Sequence, residues 1–153
     1  MKTAAAIKLS FFCKPEEDKE ALLKAFKKLI PFDLEIEKIQ LKKTNAEGFN
    51  ERKIEIYEVM FQKDRHINAF LDYLLAKLTK EQKQQLLDQL ESRLHDNLHF
   101  YLRLDKDAMV NLGQLWLTDS GNCFHIEIVV AAFPAKREAA KKILENLLIE
   151  SIK

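Results

Sequence analysis

Over Ala5–Cys13, apolar Ile7, Leu9, Phe11 and Cys13 alternate with Ala6, Lys8, Ser10 and Phe12. A period of two predicts a strand with one buried face. Pro15, followed by Glu16, Glu17 and Asp18, is suited to open a helix. Leu22, Leu23, Phe26, Leu29 and Ile30 then recur at helical spacing, with Lys24, Lys27 and Lys28 opposite and Pro31 as the stop. Along Leu34–Thr44 the apolar parity switches between Ile36 and Ile39, which predicts a strand with a bulge near Glu37-Lys38. Asn45–Glu51 carries loop residues, and Lys53–Gln62 is rich in Ile, Tyr, Val and Phe. The two strands therefore form a long hairpin.

Two helices follow. Asp64 is placed to cap the first, whose Ile67, Phe70, Leu71, Leu74, Leu75 and Leu78 form a stripe. Thr79-Lys80-Glu81-Gln82 matches a capping box that starts the second, running to Leu94. Leu98–Leu104 alternates as a strand. Asp105–Met109 reads as a helical turn capped by Asp105, Leu115–Leu117 as a short strand, and Asp119–Asn122 as a turn. Phe124, Ile126, Ile128 and Val130 mark a final strand, and Lys136–Ile152 a final helix. The order β-α-β-β-α-α-β-β-β-α predicts an α+β fold over residues 1–153 as a single domain. Its form is a two-layer sandwich, a mostly antiparallel sheet with helices on one face.

Lys and Arg number 25 against 24 Asp and Glu, a formal charge of +1, so any grip on a polyanion must be local. Hydrophobic residues make up 47% of the chain, which excludes an intrinsically disordered class. No apolar run has the roughly 18 residues of a membrane span, and no signal peptide is evident, so a cytoplasmic protein without a membrane partner is expected. Cys13 and Cys123 sit in apolar runs and are read as buried, reduced thiols. With three glycines, at 48, 113 and 121, no glycine-rich phosphate cradle can be assembled, and the mechanistically clear enzyme motifs are missing.

The parity opposite the apolar one is the informative set. It holds Lys8, Ser10, Phe12, His99, Tyr101, Arg103, Trp116, His125 and Glu127, aromatics interleaved with cations, as a base-stacking surface requires. An ordinary amphipathic face, or a homodimer surface, has the same composition. A basic cluster lies along the hairpin (Lys38, Lys42, Lys43, Arg52, Lys53) and another at Lys136, Arg137, Lys141 and Lys142, suited to phosphates or simply solvated. His95 and His99 are four apart across a helix-to-strand break and lack a third ligand, so no metal site is expected. Asp105 and Asp107 are a turn cap and a solvated acid. No nucleophile, base and orienter can be assembled, so a non-enzymatic protein without cofactors is predicted.

Leu98-His99-Phe100-Tyr101-Leu102-Arg103-Leu104-Asp105-Lys106-Asp107-Ala108, followed by Leu112-Gly113-Gln114-Leu115, resembles a family of small archaeal RNA-binding, exosome-associated subunits, whose strand and turn read F-Y-L-R-L-D-K-x-A and then L-G-x-L. The run from Leu78 to Leu94 is similar to that family's preceding helix, and Asn45–Asn50 to its hairpin loop. The resemblance implies a fold like that of the large-subunit ribosomal protein that binds 5S RNA, no catalytic residues, and roles for four positions. Arg103 and Lys106 would contact phosphate, Asp105 would hold the turn, and Gly113 would meet a backbone requirement. The expected function is recognition of structured or double-stranded RNA by backbone and shape, as an accessory in RNA processing or degradation. Lys42, Lys43, Arg52, Lys53, Arg103 and Lys106 would contact phosphates, and Tyr101 and Trp116 would stack on bases. An exosome or other protein complex is a further expected partner. The alternative is an interaction module that dimerises, or docks a partner, through the open sheet face.

Overall fold

Ile7, Leu9, Phe11 and Cys13 are all buried, so the alternation at the start of the chain does place one strand face in a core. The computed structural model describes residues 2–47 and 52–153. Its strands are β1 (Ala4–Cys13), β2 (Lys42–Glu47), β3 (Lys53–Phe61), β4 (His99–Asp105) and β5 (Cys123–Val130). They form one open antiparallel sheet in the order β2-β3-β1-β5-β4. Its helices are α1 (Lys19–Lys28), α2 (Asp64–Lys77), α3 (Lys80–Asp88), α4 (Leu90–Arg93) and α5 (Arg137–Ile152), with a π-helical turn at Ala108–Leu112. The α+β class expected from the periodicities is the one observed. The chain clusters into two compact units: Met1–Ile7 with Phe61–Leu102 and Glu127–Lys153, and Lys8–Met60 with Arg103–Ile126.

In the second of these units, α1 covers the apolar side of β1 and β5. The Phe26 ring lies 4.9 Å from Phe11 and 6.1 Å from Phe124, and Phe11 stacks on Tyr57 of β3 at 5.1 Å. The helix starts at Lys19 rather than Pro15. Glu17 accepts from the Lys14 amide, making a turn of Lys14–Glu17, and Asp18 then caps through a 3.1 Å bond from the Ala21 amide. Residues 34–38 are not a strand. Asp33 accepts from the Ile36 amide at 2.9 Å, Ile39 N donates to Leu34 O, and Lys38 adopts a left-handed φ of 58°. The parity switch marks this turn instead of a bulge, and β2 begins only at Lys42. The two segments do form a hairpin, pairing Lys42 with Glu58 through Glu47 with Lys53, but Asn45, Ala46 and Glu47, read as loop, belong to β2 because their backbone pairs with Glu55, Ile54 and Lys53. Gly48 and Asn50, assigned to its loop, lie outside the described residues.

The turn after β4 is capped as its sequence predicts: Asp105 Oδ2 accepts from the Ala108 amide at 2.9 Å. The π-helical turn ends at Gly113 with a φ of 64°, the left-handed region that glycine enters without strain. The expected Leu115–Leu117 strand is reduced to a single bridge, Leu104 with Leu117.

In the other unit, Phe70 of α2 packs on Phe61 with centroids 5.7 Å apart. Lys63, not Asp64, occupies the N-cap of α2 and makes no side-chain cap bond. Thr79 and Gln82 form the full capping box of α3. The stripe expected to run unbroken to Leu94 is interrupted at Gln89, where ψ swings to 12°, and a single turn, α4, follows. The Arg137 guanidinium closes that turn, donating to the carbonyls of Glu91 (2.9 Å) and Leu94 (3.1 Å). Lys83, buried beside α5, donates to Ser151 O at 3.2 Å.

Candidate nucleic-acid interface

The unit built from Lys8–Met60 and Arg103–Ile126 carries the clearest candidate. Because Leu9, Phe11, Phe124 and Ile126 are buried, alternation turns Lys8, Phe12 and His125 to the other side of the sheet. The Phe12 and His125 rings meet there at 5.6 Å, and Phe12 is 44% exposed. The Leu104–Leu117 bridge sets the register of the next segment. Asp105 N donates to Trp116 O at 2.8 Å and Thr118 N to Arg103 O at 3.0 Å. That pairing puts Trp116 and Arg103 on one side. Trp116 is 48% exposed, its indole N–H donating to Gln114 Oε1. Arg103 is exposed and donates to the Asp119 carbonyl at 3.1 Å.

The hairpin separates its two lysines. Lys42 stands opposite Glu58, on the side of Lys8, whose ammonium lies 3.6 Å from Glu58. Lys43 stands opposite buried Tyr57 and pairs with Glu55 at 3.4 Å. Glu55 also holds Lys19, at 3.2 Å. The carboxyl of Glu55 lies below its ordinary range because Tyr57 donates to it, with Lys19 and Lys43 adding to the effect. Lys53 and Glu55 line a cavity of about 560 Å³ with Lys14, Glu17, Lys19 and Glu47, where the charges of the two signs balance. Arg52 forms an ion pair with Glu16.

Lys106 is the main correction. Expected to contact phosphate, it is 3% exposed. Its ammonium donates to the Phe12 carbonyl and to both Glu17 oxygens, at 3.2 Å. It therefore ties the turn after β4 to β1 and braces the backbone that carries Phe12, out of reach of a ligand. The field around His125 fits the same picture. Burial lowers its pKa first, and Arg103, Lys106 and Lys8 lower it further, so the ring is neutral at pH 7 in a positive surrounding. Cys13 and Cys123 are buried free thiols, pushed up chiefly by desolvation and thus kept protonated.

Tyr101 belongs to the other unit and is differently engaged. Its hydroxyl donates to Glu127 at 3.2 Å, the same carboxylate oxygen that contacts His99 Nδ1, and the Tyr101 and His95 ring centroids lie 4.6 Å apart. Among the described residues no group of three or more His, Cys, Asp or Glu side chains is arranged to hold a metal ion, and no helix is long and apolar enough to cross a membrane.

A neutral aromatic pair, an indole and an exposed guanidinium thus share one strand face of the unit built from Lys8–Met60 and Arg103–Ile126. The model of the RNA_binding family, described as RNA binding, matches residues 6–132. The chain belongs to that family. A Pyrococcus abyssi relative named RNA-binding protein PAB1135 is 28% identical over 142 residues, covering 93% of this chain and 92% of its own. The solved structure of AF2318 from Archaeglobus fulgidus, a DUF54 protein, superposes with a TM-score of 0.84 at 27% identity, covering 95% of this chain and 99% of that one. Mth689 from Methanothermobacter thermautotrophicus, also DUF54, shares the fold with a TM-score of 0.78 at 24% identity, over 96% and 99% of the two chains.

Every side chain of the patch lies inside the span matched by the RNA_binding family. Of the residues singled out by sequence, Arg103, Trp116 and Lys42 share the strand face. Lys43 and Lys53 take the opposite parity, Arg52 is held by Glu16, Tyr101 is held by Glu127, and Lys106 is buried. Lys8, Phe12 and His125, which the alternation of β1 and β5 already marks in the sequence for this face, complete the set.

Proposed function

We propose that this protein binds RNA without catalysing a reaction on it, through the face carrying Lys8, Phe12, Lys42, Arg103, Trp116 and His125. The observation that supports the reading most directly is the Arg103–Trp116 corner beside the Phe12–His125 pair, within a chain of the RNA_binding family. Arg103 and Lys42 take phosphates of structured RNA, and Trp116 and Phe12 take the flat faces of unpaired bases. With about two phosphates engaged, a fourfold rise in salt weakens binding roughly 12-fold. Titration of a labelled RNA hairpin at two salt concentrations checks this. No binding at micromolar protein in the lower salt rejects the reading. The cellular setting we assign is the cytoplasm, in RNA processing or degradation beside an exosome-type complex. Pull-down with and without nuclease separates tethering through RNA from direct contact with that complex.

The exposed Phe12, Met60 and Trp116 favour a second reading, in which this face meets another copy or a protein partner. It predicts self-association that is insensitive to salt and lost in Trp116→Glu, measured by light scattering.

A further inference from the structure

Phe133 is 98% exposed, the highest value among the exposed large hydrophobic residues of the described chain, of which Ile36 at 76% is next. It lies one residue past the span matched by the RNA_binding family. Burying a phenyl ring is among the larger single gains open to a folding chain, and nothing in this unit covers it. Its loop is nonetheless tethered on both sides. Ala131 N donates to Thr3 O at 2.9 Å, Ala132 N to Val130 O at 3.1 Å, and Lys136 N to Pro134 O at 2.8 Å. Pro134 further restricts the backbone. The ring is thus presented on an ordered loop, which lowers the entropy lost when something docks on it.

Its surroundings narrow the occupant. Ala131, Ala132 and Ala135 are small and leave both ring faces uncrowded. Lys136 is exposed and makes no ion pair among the described residues, whereas Arg137 is committed to Glu91 and the α4 carbonyls. Glu138 follows in the first turn of α5. A protein interface needs a broad, contiguous apolar patch around such an anchor. The exposed apolar surface here is small, Phe133 with Pro134 and Ala135, and exposed Lys136 follows directly in the chain. One ring with a cation three residues on meets the needs of a single unpaired base, whose plane stacks on the ring while its phosphate meets the ammonium.

Resting on the RNA-binding reading above, we infer that Phe133 and Lys136 form a second RNA contact that stacks on an unpaired base. It makes the protein prefer RNA with single-stranded nucleotides over a blunt duplex. The test compares wild type, Phe133→Ala and Phe133→Trp by fluorescence anisotropy at fixed salt. The probes are an RNA hairpin with an unpaired loop and a blunt duplex of equal phosphate number. Phe133→Ala weakens hairpin binding about 5- to 150-fold and changes duplex binding by less than about twofold. Phe133→Trp restores hairpin affinity, and its added indole emission, read against wild type, is quenched on titration. An unchanged hairpin affinity in Phe133→Ala overturns the inference while leaving the RNA-binding reading intact. So does an equal loss on both probes, or loss of self-association in place of RNA affinity, which would assign the ring to a protein interface. A wild type that binds neither probe overturns both readings. Thermal melts of the two variants matching wild type confirm that an exposed ring, and not the fold, was altered.

Discussion

Tyr101 and Trp116 are aromatic residues beside cations or imidazoles, yet their surroundings give them opposite roles. Trp116 has an open flank, on the side of the sheet that carries an arginine held by a backbone carbonyl. Tyr101 has a carboxylate within reach, and Glu127 engages both its hydroxyl and His99. Aromatic and basic composition alone does not make a polyanion surface. One acid among the rings converts it into a self-satisfied polar cluster.

Lys106 and Lys42 show the same contrast in sharper form, and breaking it gives the largest expected effect. Lys106→Met removes the partner of Glu17 and the brace on Phe12 O. It is expected to cost about 3–5 kcal/mol in urea unfolding. Lys42→Met, at an exposed site, should change stability by less than about 0.5 kcal/mol. Equal melts for the two variants would mean that the buried pair does not hold the turn.

Next in size is the effect on RNA. Trp116→Ala should cost roughly 1–3 kcal/mol of hairpin binding if the indole stacks. Arg103→Glu together with Lys42→Glu should act comparably and flatten the salt dependence. Tyr101→Phe, which removes only a hydroxyl already bound to Glu127, should leave RNA affinity within about twofold. Equal losses for Tyr101→Phe and Trp116→Ala, measured by anisotropy, would erase the distinction between the two regions.

A smaller effect follows from His125. Its folded pKa is lowered by burial and by Arg103, Lys106 and Lys8, so the unfolded chain binds the proton more readily. Stability should therefore fall as pH drops below the ordinary histidine value of 6.5. His125→Gln should blunt the dependence in pH-resolved melts, and a wild type equally stable well below that pH would contradict it. Least affected of all, Cys13 and Cys123 should stay unreactive to a thiol reagent at neutral pH until the chain unfolds.

Periodicity made most of the fold legible. The alternations of β1, β4 and β5, the capping box at Thr79 and the turn cap at Asp105 are local features, and each is found where its residues indicate. Two of the misreadings share a cause. At residues 34–38 a side chain, Asp33, offered the backbone a turn, and a broken alternation looks the same for a turn and a bulge. At Pro15 a better cap three residues on displaced the helix start. At Leu115–Leu117 the expected strand is a single bridge.

What the amino-acid order determined by itself was which residues alternate or recur, and hence the elements, the buried parity and the set of polar and aromatic residues left on the other side. Tertiary structure alone decided which charges remain available: Lys106 inside against Glu17, Lys43 on Glu55, Tyr101 on Glu127, Phe133 in water. Periodicity is a property of neighbours along the chain. Ion pairing depends on distances between residues far apart in it, such as the 89 positions separating Glu17 from Lys106, and those distances exist only once the sheet has formed.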